Sequence, residues 1–148
     1  MVKTSKGEVE KGTKKEKTLM RYERRFRLMF ENAAEGILLA DAEKKKFCQG
    51  NKHFRETLGY SLEEIKSLSV RDIHPRRDLF YVLDQFDKLV RREIAVAKDI
   101  PVKRKDGSLF YADISALSIT QRGKIYVIGI FRDITGRKEL SMTEGYHS

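Results

Sequence analysis

The chain has almost no cysteine, the residue that forms disulfides and many structural metal sites. Only one of its 148 residues is a cysteine, Cys48. A single cysteine excludes an intrachain disulfide and a zinc or iron–sulfur site made of cysteines, and it fits a reducing compartment. No apolar run approaches the ~18 residues of a membrane span, and the Lys- and Glu-rich N-terminus has no signal-peptide core. We therefore expect a soluble, cytoplasmic chain with no membrane contact.

Motifs of catalysis are also scarce. The sequence has no Gly-rich phosphate loop, no histidine–acid pair such as a kinase phosphoacceptor box would have, and no paired metal ligands. Asp106–Gly107 is first of all a turn signal. The nearest approach to a carboxylate cluster has the spacing of a helix start and its solvated face: Asp72, Asp78, Asp84 and Asp87. We expect no enzymatic activity, no catalytic residues and no metal site.

The positive charge is concentrated at one end. Residues 1–27 hold ten Lys or Arg against four Glu, a net charge of +6, which leaves +3 of the total +9 for residues 28–148. A solvated leader is the ordinary explanation of such a run, so we do not expect nucleic acid as a partner, although binding through the basic leader stays an outside hypothesis. The predicted organisation is a flexible leader over 1–18, a helix over 19–34, one domain over 35–135 and a tail over 136–148.

An amphipathic helix is predicted from about Lys14 to Ala33. Its apolar residues recur at intervals of 3, 4, 3 and 4, and they are Leu19, Tyr22, Phe26, Met29 and Ala33. The stripe spans about two heptads, fewer than an independent coiled coil needs. Packing on the domain's own sheet and pairing with a second copy therefore both stay open.

Short strands and helices follow this segment. Ile37–Ala40 and Phe47–Gln49 predict two strands on either side of a polar turn. Asn51 is a good N-cap for a short helix that ends at Gly59, and Ser61 and Glu64 have capping-box spacing for a second one. These short helices should pack against the strands.

The second half predicts a longer helix and three strands. The helix, from Asp78 to about Glu93, carries Leu79, Leu83, Phe86 and Val90 on one face. The strands are 97–103, 109–120 and 124–134, joined by hairpin turns, and Pro101 places the first at a sheet edge. Because 125–131 has no polar residue, the last strand should be central. We predict an α+β fold with helices on one face of a five-stranded antiparallel sheet.

The order of these elements and five short motifs resembles the PAS domain, a sensory module of signalling proteins. The motifs are Glu35–Gly36–Ile37, Asn51 with Leu58 to Glu64, Asp72 to Pro75, Arg104 to Ser108, and Arg132 to Lys138. The resemblance covers about residues 22–140. It implies the strand order 2-1-5-4-3 and a cavity between sheet and helices that holds a cofactor, a metabolite or nothing.

The residues of this chain do not match the cofactor sites of the family. Haem-binding relatives use a histidine, usually on the long helix, and 78–93 contains none. His53, His74 and His147 are expected in a short helix, a turn and the tail. Photoreceptor relatives carry their flavin-linked cysteine in an Asn-Cys-Arg-Phe-Leu-Gln motif, which is absent; Cys48 is interpreted as a small core residue. We expect no cofactor and a colourless protein, while a non-covalent small ligand stays open.

Three groups of candidate functional residues complete the prediction. The ligand cavity should be apolar, suit a small hydrophobic ligand or none, and be lined by Leu39, Phe54, Leu58, Ile73, Leu83, Phe86, Ile114, Ile128 and Ile130. The signal should leave the domain through Asp133, Ile134 and Thr135. The amphipathic helix should lie on the outer sheet face and build a homodimer through Leu19, Tyr22, Phe26, Met29 and Phe30.

Two functions follow from the resemblance. The first is a sensory module of a two-component or related signalling system, which senses a small molecule and relays it through the central strand and the dimer interface. The second is a ligand-free dimerisation or docking module. In both cases we expect a signalling effector, either in cis beyond this chain or in trans.

Overall fold

The structure is a computed structural model and describes residues 13–136. Within it the chain divides into two compact units, one ending at Asn32 and one beginning at Ala33. The leader before residue 13, and the predicted tail apart from Gly136, lie outside the described residues, as does His147.

The first unit contains the helix α1 (Lys14–Asn32). Thr13 caps it, because its hydroxyl accepts from the Glu16 amide at 3.0 Å while its own amide donates to the Glu16 carboxylate at 3.3 Å. This reciprocal pair satisfies two amides that a helix start leaves without partners. The helix thus begins at Lys14, where the apolar periodicity predicts it, although the predicted organisation assigned residues 14–18 to the leader. None of its residues is buried.

The second unit is a five-stranded antiparallel sheet with helices between its second and third strands. Its elements are β1 (Gly36–Asp41), β2 (Phe47–Gly50), α2 (Lys52–Leu58), α3 (Leu62–Lys66), two short 3₁₀ helices (Val70–Ile73 and Arg76–Asp78), α4 (Leu79–Val90), β3 (Val96–Lys103), β4 (Leu109–Gln121) and β5 (Lys124–Asp133). The strand order is β2-β1-β5-β4-β3. This confirms the predicted fold class and the central position of β5.

Local hydrogen bonds explain why the short helices begin where they do. The Asn51 side chain is fully buried; its oxygen accepts from the amides of Phe54 and Ile37 at 3.0 and 2.9 Å, and its nitrogen donates to the Glu35 carbonyl at 2.9 Å. One amide group thus caps α2 and holds the entrance of β1. The predicted capping box of Ser61 and Glu64 begins α3.

The edge strand β3 accommodates a proline for a reason visible in its register. Pro101 lies opposite Tyr111 of β4. The Tyr111 amide and carbonyl bond instead to Thr135 and Ile134, just beyond β5, so β4 needs no N–H from Pro101. At the free edge of β3, away from β4, the Pro101 carbonyl accepts a hydrogen bond from His74 at 2.7 Å. The proline and His74 together leave this point of the edge without a free group for another strand.

Alternation along the central strand separates the two faces of the sheet. Val127, Gly129 and Phe131 of β5 are buried on the face that the helices cover, which we call the inner face. Ile128 and Ile130 alternate with them and point to the opposite, outer face. The core therefore lies on one side of β5, although both sides of the strand are apolar.

Candidate functional site: an apolar cavity on the inner sheet face

A cavity of about 50 Å³ lies between the inner face and the helices. By the same measure one water molecule needs ~10–15 Å³, so a small organic molecule or a few waters can enter. All five strands, the first 3₁₀ helix and α4 contribute to its lining. None of the described residues that line it carries a charge; the polar side chains among them are His74 and Gln85.

Three of the nine predicted cavity residues line this space, namely Ile73, Phe86 and Ile114. The prediction was wrong for Leu39, Ile128 and Ile130. Leu39 and Ile128 lie opposite each other in the β1–β5 register, on the outer face, and Ile130 follows Ile128 on that face. Side chains of a strand alternate between faces, and a continuous apolar run gives no sign of which set points inward.

The remaining three predicted residues do not line the cavity. Phe54 and Leu58 are fully buried on α2. The Phe54 ring makes an edge contact with Phe131, with centroids 5.2 Å apart and planes at 72°, so it supports a lining residue from behind. Leu83 packs against the core as a partly buried residue. Phe86 does line the cavity but is only half-buried, so Phe86→Ala will cost less than the ~3–5 kcal/mol expected for a fully buried ring.

Lys45 lies over Phe86 at the surface beside the cavity. Its ammonium is 5.7 Å from the centroid of the Phe86 ring and 3.5 Å from the Asp87 carboxylate. The contact joins the β1–β2 turn to α4. Both partners of the ion pair are partly exposed, so the pair itself contributes little to stability, while the lysine stem covers part of the ring.

His74 is the buried polar residue of the lining. It is 3% exposed, and burial lowers its pKa from 6.5 to about 4, against the opposing effects of the Pro101 hydrogen bond and the Asp78 charge. The imidazole is therefore neutral at pH 7. A neutral ring adds no charge to the cavity, whose chemistry is that of apolar contact with a few hydrogen-bonding groups.

The predicted exit residues form a turn that is fastened to β4. The Asp133 carboxylate accepts from the Thr135 amide at 2.8 Å. The Thr135 hydroxyl accepts from the Tyr111 amide at 3.2 Å, and the Ile134 amide donates to the Tyr111 carbonyl at 2.9 Å. Ile134 is buried. The turn that follows β5 is thus hydrogen-bonded to both the amide and the carbonyl of Tyr111 in the neighbouring strand β4.

Other candidate groups do not converge. Within residues 13–136 no three His, Cys, Asp or Glu side chains come together as a metal site would require. Cys48 is half-buried on β2, and burial raises the pKa of its thiol above the ordinary value. His53 is exposed on α2. In the part of the chain that the structure describes, no helix is long and apolar enough to cross a membrane.

His74 and Gln85 are the polar lining residues that sequence reasoning missed, besides the apolar ones that it did not name. His74 precedes a proline and was assigned to a turn, and Gln85 sits among polar residues of α4. The available signal was that His74 follows Ile73 and Gln85 precedes Phe86, two residues that were predicted to line the cavity. That signal is weak, because a 3₁₀ turn and a half-buried helix do not fix from sequence which side chain turns inward.

An antiparallel sheet of order 2-1-5-4-3, with a helix-covered cavity on one face, defines a class of small cavity-bearing domains. A family model described as PAS domain matches residues 34–136, and the chain belongs to the PAS domain family. The solved PAS domain of an HTR-like protein from Haloarcula marismortui is 27% identical, with a TM-score of 0.67 over 81% of this chain and 98% of that one. The fold and the family thus agree.

Two curated relatives are sensors in name. The chain is 26% identical over 122 residues to a methyl sulfide methyltransferase-associated sensor of Methanosarcina acetivorans, and 25% identical over 124 residues to the sensor histidine kinase TmoS of Ectopseudomonas mendocina. Each match covers 82% of this chain. The chain spans only 12% and 13% of the length of these relatives.

Proposed function

We propose that this chain is a sensory module of a signalling protein, which binds a small neutral molecule in the inner-face cavity. The observation that carries the proposal is the cavity itself, a space in the core lined by apolar side chains and without a charged group among its described lining residues. Similarity to proteins named as sensors supports it. Its task is binding and relay without enzymatic activity, and the protein is expected to be colourless.

The ligand proposal can be tested with one added methyl group. A Cβ at Gly129 would enter the cavity lining, 3.4 Å from the Phe131 ring and 3.9 Å from Ile114. At Gly136 the same methyl meets nothing within 4 Å. Gly129→Ala should therefore weaken ligand binding, while Gly136→Ala serves as the matched control.

The measurement is thermal unfolding with a panel of neutral apolar compounds and small carboxylates. A ligand at ten times its Kd stabilises by about 1.4 kcal/mol, which raises the Tm by roughly 3–6 °C. We expect such a rise for neutral compounds with the wild-type and Gly136→Ala proteins and a smaller one for Gly129→Ala. A panel in which only carboxylates act, or in which both variants respond like the wild type, contradicts the proposal.

Relay is proposed to run along β5. The strand contributes Gly129 and Phe131 to the cavity and then enters the Asp133–Ile134–Thr135 turn, so one element joins the ligand to the exit. The turn bonds to β4 at Tyr111 through a side-chain hydroxyl and a backbone pair. A shift of β5 would strain these bonds and change the direction in which the chain leaves. The recipient is a signalling effector in cis or in trans.

We propose a homodimer formed through α1. Leu19, Tyr22, Phe26 and Met29 are between 59% and 72% exposed and form an apolar stripe on one side of α1. Phe30 stacks on Phe26 at 6.3 Å and widens the stripe. A two-fold pairing is the commonest way to bury such a surface. The packing of this helix across the sheet stays a prediction.

Sedimentation of four proteins tests the dimer. The full chain should sediment as a dimer, and a version starting at Ala34 as a monomer. Phe26→Gln should shift the full chain toward monomer, whereas Arg24→Gln, on the opposite side of α1, should leave it dimeric. If the full chain and the shortened version are both stable monomers, α1 builds no interface.

The alternative function is a ligand-free docking module. The observation that favours it is the outer face, where Leu117, Ile119 and Ile130 are more than 36% exposed. Such a surface can receive a partner without any ligand. An empty cavity in the protein purified from its host, measured by native mass spectrometry, would favour docking; a retained small molecule would favour sensing.

A further inference from the structure

His74, which lines the cavity, has one ring nitrogen whose role as donor or acceptor follows from the position of the ring proton. His74 Nδ1 lies 2.7 Å from the Pro101 carbonyl oxygen. A carbonyl oxygen only accepts, so the ring proton must be on Nδ1. In a neutral imidazole this leaves Nε2 with a lone pair and no proton. Nε2 is therefore an acceptor.

This acceptor has no hydrogen-bond partner among residues 13–136. The structure gives His74 no hydrogen bond other than the one to Pro101. Yet among the described residues every buried side-chain nitrogen or oxygen has a partner, so Nε2 must still reach open space. His74 is 3% exposed and is one of the residues that line the cavity. We take the cavity to be the space to which Nε2 opens. An acceptor on an almost fully buried side chain is thus available to whatever occupies the cavity.

From this geometry we propose that the cavity selects a small neutral molecule with one O–H or N–H donor on a compact apolar body, such as a short-chain alcohol or a phenol, and that His74 Nε2 accepts its hydrogen bond. The inference rests on the proposed function, because it needs a ligand in the cavity. It narrows the ligand from merely apolar to apolar with one donor.

The same atoms exclude other ligand classes. A carboxylate would bring acceptor oxygens and a negative charge against a lone pair, with no cation in the lining to balance them. A purely apolar molecule would leave Nε2 without a partner after water is displaced, which carries the cost of a buried, unsatisfied acceptor. Gln85, the other polar lining residue, is half-buried and belongs to α4, so it serves as an internal comparison.

The test compares phenol with toluene, which share a ring and differ by a hydroxyl in place of a methyl group. Because the two compounds partition differently from water, the quantity measured is the ratio of their Kd values, toluene over phenol, by calorimetry at pH 7.5. His74→Asn keeps an amide donor for the Pro101 carbonyl and removes the acceptor at the Nε2 position. Gln85→Met is the control with nearly the same shape.

One hydrogen bond is worth about 0.5–1.5 kcal/mol, so the ratio should fall about 3- to 10-fold in His74→Asn and stay unchanged in Gln85→Met. Benzoate should not bind. A ratio that is unchanged in His74→Asn, or that falls instead in Gln85→Met, overturns the role of His74 while leaving a ligand cavity in place. If neither these two compounds nor any neutral compound of the thermal-unfolding panel binds, short-chain alcohols included, the proposed ligand sensing itself fails, and this inference with it.

A measurement on the wild-type protein covers the case in which His74→Asn does not fold. Imidazole nitrogen resonances of His74 are followed by NMR during both titrations. Phenol should move the Nε2 resonance upfield, as an accepted hydrogen bond does, and leave Nδ1 protonated; toluene should not. An Nε2 resonance that does not respond to bound phenol, or that responds equally to toluene, overturns the proposal.

Discussion

The two faces of β5 are built from the same kinds of residue but have different surroundings. On the inner face Val127 and Phe131 are 4% and 8% exposed, beside a cavity; on the outer face Ile130 is 37% exposed. Composition therefore does not distinguish a core face from an interaction face. The two faces differ because α2, α3 and α4 pack on the inner face of this unit and bury its apolar residues. The apolar residues that stay exposed on the outer face are the ones that the alternative docking function would use.

Shortening one apolar side chain on each face should give the largest difference between the two faces. Phe54, 1% exposed, contacts both Phe47 and Phe131 on the inner face. Phe54→Ala should lower the free energy of unfolding by about 3–5 kcal/mol, since it removes a buried ring and leaves a void. Ile130→Ala should cost about 1 kcal/mol or less. Urea denaturation of both variants measures this, and equal losses would mean that the outer face is as well packed as the inner one.

Acid should act on the inner face before it acts on the surface. Burial holds the pKa of His74 at about 4 in the folded protein, below its ordinary 6.5. Between these values the unfolded chain binds the proton and the folded one does not, so stability falls as pH decreases from about 6.5 to 4. The loss should reach about 3 kcal/mol.

Surface carboxyls titrate in a different range. The Lys105 contact lowers the pKa of Glu64 to about 2, and hydrogen bonds from Ser108 lower that of Asp106, so these contributions disappear below about pH 4.5. Denaturant unfolding at pH 7, 5.5 and 4.5 isolates the histidine. His74→Asn should flatten the profile in this range; a profile that stays steep would assign the loss to other groups.

A hydroxyl placed on either side of β5 gives the finest comparison. Val127→Thr keeps the shape of a 4% exposed lining residue and introduces a polar group into the apolar lining. It should cost about 1–3 kcal/mol, the penalty for a buried hydroxyl without a good partner. Ile130→Thr, at a 37% exposed position on the outer face, should change stability by about 0.5 kcal/mol or less. Similar losses in the two variants would show that the cavity is as wet as the surface.

Local signals in the sequence were sufficient for most of the fold. Caps and turns act through atoms only a few residues apart, so Asn51, Ser61 with Glu64, and the hairpin turns could be predicted with the elements that they begin or end. An unbroken apolar run predicted the central strand, and a missing N–H predicted the edge position of Pro101. The capping pair of Thr13 and Glu16 was equally local and was overlooked.

Tertiary structure alone decided the site. The odd-numbered and the even-numbered residues of 125–131 are both apolar, so the sequence does not show which set faces the core. Only pairing with β1 and packing under α4 determined that Gly129 lines the cavity and Ile128 does not. His74 became a cavity residue because the Pro101 carbonyl, 27 residues away, orients its ring. The sequence by itself determined which elements form, since their causes are local; it could not determine which side chains meet, because that depends on contacts between distant segments.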